Sequence, residues 1–442
     1  MVGAGIAGLA AAWHLRDRDV LVLEAADRIG GRLMSAPRGE TWLNFGAHVF
    51  SGPDSACGRL IDEAGVRAIG VPGRLAALAM GGRIVTGAVE AYPLRLPMSV
   101  RSRAALVHSG IRLRLAVRRY AAVAEPRSEE DAAERQLCML EFIGDRSFSE
   151  FIGPLPPDVD AIYRATLNRS SGEPEDLSAG YGVGYFHLVW DRTGGLSRGI
   201  VGGPGALIER LAAGLPGAVR TGAEVRRVRR DGGGVVVEYD ADGERRVVAA
   251  RAAVVAAPAP VARSVVEGLP EATAAALEGV RYGPYAVAAV LTDDQRPMPW
   301  DDIYALAAPE CAFNMVFSIG NVAAAAGSLG HPRPGSFMMY AGADQGRRML
   351  ELDDGRIADR FADDFVRVYP EARGRVREIV VRRWERGLPY AHVGRARLQR
   401  ALMARLDPIH LAGDYLGSWY TETAAQTAER AALAIRGRLE SS

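Results

Sequence analysis

The chain opens Met-Val-Gly-Ala-Gly-Ile-Ala-Gly-Leu, with Gly3, Gly5 and Gly8 in the order Gly-x-Gly-x-x-Gly. No other stretch constrains the fold as much. The pattern belongs where a buried strand turns into a helix. Its first glycine lets the chain turn, its second leaves room for a ligand against the backbone, and its third lets the helix pack closely. A helix N-terminus presents orphan N–H groups and a positive dipole end, which suit a phosphate. The glycines alone also fit a ligand-free joint between strand and helix. The next residues weigh against that: an Ala- and Leu-rich helix, then an apolar strand from Val20 to Leu23 of the buried parallel kind. Glu24 ends that strand 21 residues after Gly3. An acid at this distance accepts from a ribose hydroxyl and repels a 2′-phosphate, so a dinucleotide is expected and NADP is disfavoured.

Only Met1 and Val2 precede the glycines. A central strand of two residues forfeits ladder bonds and packing. The translation start is therefore expected upstream, with Met1 internal to the strand.

At 442 residues the chain has room for two domains. Its formal net charge of +1 gives no reason to expect a nucleic-acid partner. Every one of the 54 basic residues is arginine, which excludes lysine Schiff bases, lysine general bases and a Walker-type lysine. Cys57, Cys138 and Cys311 are widely spaced and read as buried free thiols. No apolar run is long enough to span a membrane. With no leader read ahead of the glycines, a cytoplasmic location is expected. The histidines show no metal spacing, and no metal is expected.

Further along, the pattern divides into stretches with and without nucleotide-domain character. Residues 76–190 hold Pro-rich joints and helices. Residues 191–275 hold a Gly-rich loop, a short antiparallel meander and a buried strand running into Ala-Pro-Ala-Pro. Residues 276–400 are mixed, and 401–442 give a strand, Gly413-Asp414 and an amphipathic helix. The stretch 99–120 carries six arginines and no acid. Projected at about 100° per residue, Leu106, Leu113, Val117 and Tyr120 make one apolar stripe, and Val107, Ile111 and Leu115 a second. Two stripes suit a helix packed inside a domain better than one lying on a membrane, although peripheral membrane contact stays open.

Taken together, Gly-Ala-Gly-Ile-Ala-Gly-Leu followed by Val-Leu-Glu-Ala-Ala-Asp-Arg-Ile-Gly-Gly-Arg-Leu resembles the flavin-binding signature of the FAD-dependent amine oxidase superfamily. That group includes flavin monoamine oxidases, protoporphyrinogen oxidases and phytoene desaturases. The resemblance implies that Gly30, Gly31 and Arg32 bend around FAD, with Arg32 supporting the diphosphate. Asn44 to Phe50 resembles the segment that passes the flavin ring. The resemblance further implies an adenine contact from the backbone of Val225, and Gly413 and Asp414 beside the ribityl-diphosphate chain. It places Thr421, at the start of the last helix, with its N–H groups toward the flavin N1–C2=O edge, where the dipole favours negative charge. The absence of a cysteine in the C-terminal flavin segment implies non-covalent FAD.

Catalytic residues are less determined. Tyr390 and Tyr420 match the two flavin-facing tyrosines of monoamine oxidases and would clamp a flat or cationic group; domain-interface packing is the competing reading. His48 lies in Gly-x-His-x-Phe, which also occurs in UDP-galactopyranose mutases. It and His392 are candidates for proton transfer, against a structural, hydrogen-bonded role. Many amine oxidases of the superfamily place a lysine near flavin N5, which this chain cannot do. The reading is therefore an α/β protein: a Rossmann-like FAD-binding domain with an inserted mixed α/β substrate domain. It removes hydride from a C–C or C–N(H) unit of a small molecule. A non-redox isomerase, a carotenoid-type desaturase and a flavin-free module of the Rab GDP-dissociation-inhibitor type are the alternatives.

Overall fold

The computed structural model describes residues 1–125, 132–190, 196–327, 329–418 and 420–441. Five short pieces of chain line up in parallel: Val219–Arg220, Val22–Leu23, Val2, Ala253–Val255 and Ile409–Leu411. Val2 is the middle one, bridged to Leu23 on one side and Val255 on the other. Its N–H donates to Val254 O at 2.8 Å, and Ala256 N–H donates to its carbonyl at 2.8 Å. Gly3 N–H donates to Leu23 O, and Leu23 N–H to Met1 O. Val2 thus has ladder partners on both sides. The α-amino group of Met1 donates to Leu21 O at 2.6 Å, and burial pushes its pKa down to about 5.

Parallel neighbours need crossovers, and helices supply them. The first helix, Ile6–His14, lies against the last, Tyr420–Glu440, through alanine-rich faces that include Ala7, Ala10, Ala11, Ala424, Ala428 and Ala431. The expected meander is present: Glu224–Asp231, Gly234–Ala241 and Glu244–Ala250 pair antiparallel.

The second unit is built on a seven-stranded sheet. Its order is Val376–Tyr390, Arg281–Asp294, Arg333–Gly342, Met315–Ser318, Ala305–Ala307, Ala77–Met80 and Arg83–Thr86. Alternation along these strands sorts side chains onto two faces. Ala286, Ala288, Phe337, Met339 and Ala341 meet Ile357, Phe361 and Phe365 of the helix Asp354–Val368. Tyr285, Val287, Phe317, Met338 and Tyr340 face a helical block that includes Val100–Ala124 and Ala179–Trp190.

Two expectations need correction. In Val100–Ala124, Leu113, Val117 and Tyr120 are buried, but Val107, Ile111 and Leu115 are 47%, 58% and 56% exposed. Only one of the two stripes meets the protein, so the helix is amphipathic. Cys57 and Cys311 are buried, whereas Cys138 is exposed. The expected boundary at 190/191 falls at residues 191–195, outside the described residues.

Candidate active site

The three opening glycines serve three different ends. Gly3 turns with φ +97°, and a Cβ there would stand 3.0 Å from Ala256 O. A Cβ on Gly8 would stand 1.9 Å from Gly3 O, so the helix seats on the turn itself. Gly5 precedes the helix in extended conformation, and a Cβ there would meet nothing within 4 Å. The helix N-terminus therefore opens onto free space above a backbone with no side chain.

Around this space the other residues expected at a nucleotide gather. The Glu24 carboxylate accepts from Ala4 N at 2.7 Å and Ala26 N at 3.0 Å, which fixes it beside the glycine turn. Ala223 N–H donates to Glu24 O, which brings Val225 of the meander near the same acid. Gly30 and Gly31 turn with φ +97° and +55°, and Gly30 N–H donates to Ala4 O. Arg32 then reaches Asp414 with two parallel bonds of 2.7 and 2.9 Å and Gly387 O with a third of 3.1 Å. This fork joins the first and last stretches of the chain. Gly413 N–H donates to Thr427 Oγ1 at 3.0 Å, which fixes the Gly-Asp turn on the last helix.

Asn44 tests whether a ligand belongs here. Its side chain is fully buried, and among the described residues neither amide atom has a partner. Leaving a buried amide unmet costs about 1–3 kcal/mol per group, so such a residue calls for a ligand. Asn44 lies on the stretch that leads to His48. The His48 Nδ1 contacts Gly46 O at 3.0 Å, which makes Nδ1 the protonated nitrogen and leaves Nε2 a buried acceptor without a partner among the described residues. Burial pushes the imidazole down to about 4, with the Arg169 charge adding to the shift. His48 is therefore neutral at pH 7. Open glycine backbone, a helix N-terminus and an unmet amide fit a flavin dinucleotide.

His48 leads into an aromatic cluster. Its ring meets Phe317 edge-on at 4.5 Å, and Phe317 lies 5.9 Å from Tyr340 and 5.8 Å from Tyr304. Tyr285 packs edge-on to Tyr340 at 5.2 Å and donates to Arg169 O at 2.7 Å. The Arg169 guanidinium lies over Phe317 and Tyr185. Tyr420 enters from the last helix: its hydroxyl is 3.2 Å from Ser170 Oγ, with Tyr181 beside it.

Two proposed catalytic residues are spent elsewhere. The Tyr390 hydroxyl bonds Asp176, which also pairs with Arg281. The hydroxyls of Tyr390 and Tyr420 thus face different partners, Asp176 and Ser170, while both rings belong to one buried cluster. Both ring nitrogens of His392 contact backbone carbonyls, of Val393 at 2.9 Å and Gly279 at 3.1 Å, so it tethers loops instead of offering a free base. Thr421 is buried in the first turn of the last helix. The next residue, Glu422, does what its sequence position did not suggest. Its carboxylate accepts from Ala56 N and Cys57 N at 2.9 and 3.0 Å and caps the helix Ala56–Glu63. Sequence reasoning also passed over Arg169, Tyr181, Tyr185, Tyr285 and Tyr340. The available signal was one arginine in a polar break between two helices.

Among the described residues no group of His, Cys, Asp or Glu could hold a metal ion, and no helix is long and apolar enough to cross a membrane.

The family model for flavin containing amine oxidoreductases matches residues 6–436, and the chain belongs to that family. Its cofactor is accordingly a flavin, and the dinucleotide site makes it FAD. Polyamine oxidase 1 of Oryza sativa subsp. japonica is 30% identical over 267 residues, which are 55% of this chain and 49% of that protein. Protoporphyrinogen oxidase 2, chloroplastic/mitochondrial, of Arabidopsis thaliana is 39% identical over 69 residues, 15% of this chain and 14% of that protein. The chain thus spans about half or less of these curated relatives. A wild-type putrescine oxidase bound to putrescine superposes with a TM-score of 0.78 at 19% identity, over 99% of this chain and 98% of that one, which establishes the shared fold.

Proposed function

We propose that this protein is an FAD-dependent oxidoreductase that removes hydride from a C–C or C–N(H) unit of a small organic substrate. The observation that carries the reading is Tyr420. It opens the last helix, which packs on the first helix of the nucleotide unit, and its hydroxyl reaches Ser170 in the aromatic cluster. One residue thus joins the cofactor side to the substrate side.

In this reading the N-terminus of Ile6–His14 holds the diphosphate over Gly5, and Glu24 takes the ribose. Arg32 and Asp414 brace the linking chain. When bound, FAD accepts two electrons as hydride and passes them to dioxygen or another acceptor. The N-terminal turn at Thr421 favours negative charge on the group it faces. His48, neutral and with a free Nε2, accepts a hydrogen bond. The aromatic walls exclude water and orient a flat substrate. Segments 1–75, 191–275 and 401–442 make the FAD-binding unit, and 76–190 with 276–400 the substrate unit. The relatives are a polyamine oxidase and a protoporphyrinogen oxidase by name, and the substrate of this cytoplasmic enzyme is an organic molecule of their general kind, an amine or a ring carrying C–N(H) or C–C units. The exposed Val107, Ile111 and Leu115, flanked by Arg114 and Arg118, give it a surface for peripheral contact with an anionic membrane.

Anaerobic mixing of the FAD-loaded protein with amines, amino acids and a porphyrinogen tests the reading. Bleaching of the visible flavin band by one of them is expected. Turnover that requires pre-reduced flavin and leaves the substrate's oxidation state unchanged would make it an isomerase instead.

A further inference from the structure

The aromatic cluster holds a positive charge that none of its own residues neutralises. Arg169 sits in the turn Asn168–Ser170, between the helices Pro157–Leu167 and Ala179–Trp190. Its guanidinium carbon is 5.5 Å from the centre of the Tyr185 ring and 5.0 Å from that of Phe317. Burial works against its charge, and Tyr185, Tyr340 and Tyr420 stand near it, with Tyr340 in hydrogen-bond contact. Among the described residues it has no carboxylate partner. Arg164, five positions earlier, shows what a satisfied arginine looks like in this chain: Asp160, Glu173 and Glu175 all hold it, at 3.1, 2.6 and 2.7 Å.

A guanidinium cannot shed its proton, and aromatic faces repay only part of its lost hydration. The missing counter-charge is one half of the observation. The other half is a second unmet donor beside it. Tyr185 is 1% exposed, and among the described residues its hydroxyl has no hydrogen-bond partner. His48 is neutral, so it contributes no second cation. A half-buried charged fork and a buried O–H beside it, walled by Phe317, Tyr304 and Tyr340, make a receptor for an oxyanion on a flat or apolar body.

We infer that Arg169 and Tyr185 form an anion subsite that takes a carboxylate of the substrate. The inference rests on reading this cluster as the substrate side of the flavin site. A planar carboxylate meets the guanidinium in two parallel bonds and accepts a third from Tyr185. A simple alkyl diamine, cationic at both ends, is disfavoured beside Arg169. Substrates are instead acids, or amino acids whose amine stands away from the arginine.

The test is calorimetric titration of the FAD-loaded protein with benzoate, benzamide and benzylammonium, which share one flat body and differ in charge. Benzoate is expected to bind about ten- to a hundredfold tighter than benzamide, with benzylammonium weakest. Arg169→Met should remove that advantage and leave benzamide binding unchanged. Tyr185→Phe should weaken benzoate several-fold. If Arg169→Met does not fold, the wild-type preference and Tyr185→Phe decide the matter. Equal or tighter binding of benzamide or benzylammonium by the wild type would overturn the subsite, as would undiminished benzoate binding in Arg169→Met. The visible flavin band, recorded on the same samples, reports FAD separately: a chain that holds FAD and prefers benzylammonium refutes the anion subsite alone, and a chain that takes up no FAD refutes the flavin reading.

Discussion

Gly5→Ala separates folding from cofactor binding. In the protein without ligand, the new methyl meets no atom within 4 Å, and the backbone at φ −73°, ψ 179° is open to any residue. The unfolded chain loses freedom, so the apoprotein should gain about 0.4–1 kcal/mol. FAD should suffer. A methyl over the helix N-terminus pushes the diphosphate from at least one N–H group. One charge-assisted bond contributes about 1.5–3 kcal/mol, which is roughly 10- to 150-fold in Kd. Gly8→Ala is the contrast: its methyl would stand 1.9 Å from Gly3 O, backbone against backbone, so the apoprotein itself should be destabilised by several kcal/mol. Thermal unfolding without FAD, and titration of flavin fluorescence, read the two effects. A Gly5→Ala apoprotein that melts well below wild type, or one that binds FAD undiminished, would refute the assignment of that space to the diphosphate.

Other expected outcomes follow from the same contacts. Arg32→Met strands Asp414, 8% exposed, without its fork; the loss in unfolding free energy should be about 3 kcal/mol, at the low end for buried pairs because Arg32 is 31% exposed, and Arg32→Met with Asp414→Leu should recover part of it in denaturant titrations. Glu422→Ala frees two N–H groups of the helix Ala56–Glu63 and should cost about 1–3 kcal/mol in the same assay. His48 has a folded pKa of about 4 against an unfolded 6.5, so the unfolded chain binds the extra proton between these values. Its contribution is complete above pH 6.5 and lost as pH falls toward 4, up to about 3 kcal/mol. His48→Phe should therefore lose less stability than wild type between pH 6.5 and 4, measured by melting at each pH.

The cofactor side was legible in the sequence because its residues act through local spacing. Gly3, Gly5, Gly8 and Glu24 are fixed by one turn, one helix and one strand, and the structure sets them around one space. Within the short start, Val2 collects ladder bonds from both neighbouring strands. The substrate side was not legible because it is assembled across distance. Tyr181 and Tyr185 are four apart on an apolar helix and read as core. Tyr285, Phe317 and Tyr340 alternate onto one face of a sheet whose order no local pattern reveals. Arg169 stands out because it has no carboxylate partner among the described residues, a property of its surroundings and not of its neighbours in sequence. Tyr390 and His392 had the right residue types but were spent on Asp176 and on backbone carbonyls. The exposed stripe of Val100–Ala124 is likewise set by which face the rest of the helical block covers.

The absorption spectrum of the purified protein, recorded with FAD supplied and excess removed, tests the central claim most directly. The account predicts an equimolar flavin that resists dialysis and is released on denaturation, since no cysteine in the last segment can hold it covalently. A colourless protein that takes up no FAD would contradict it.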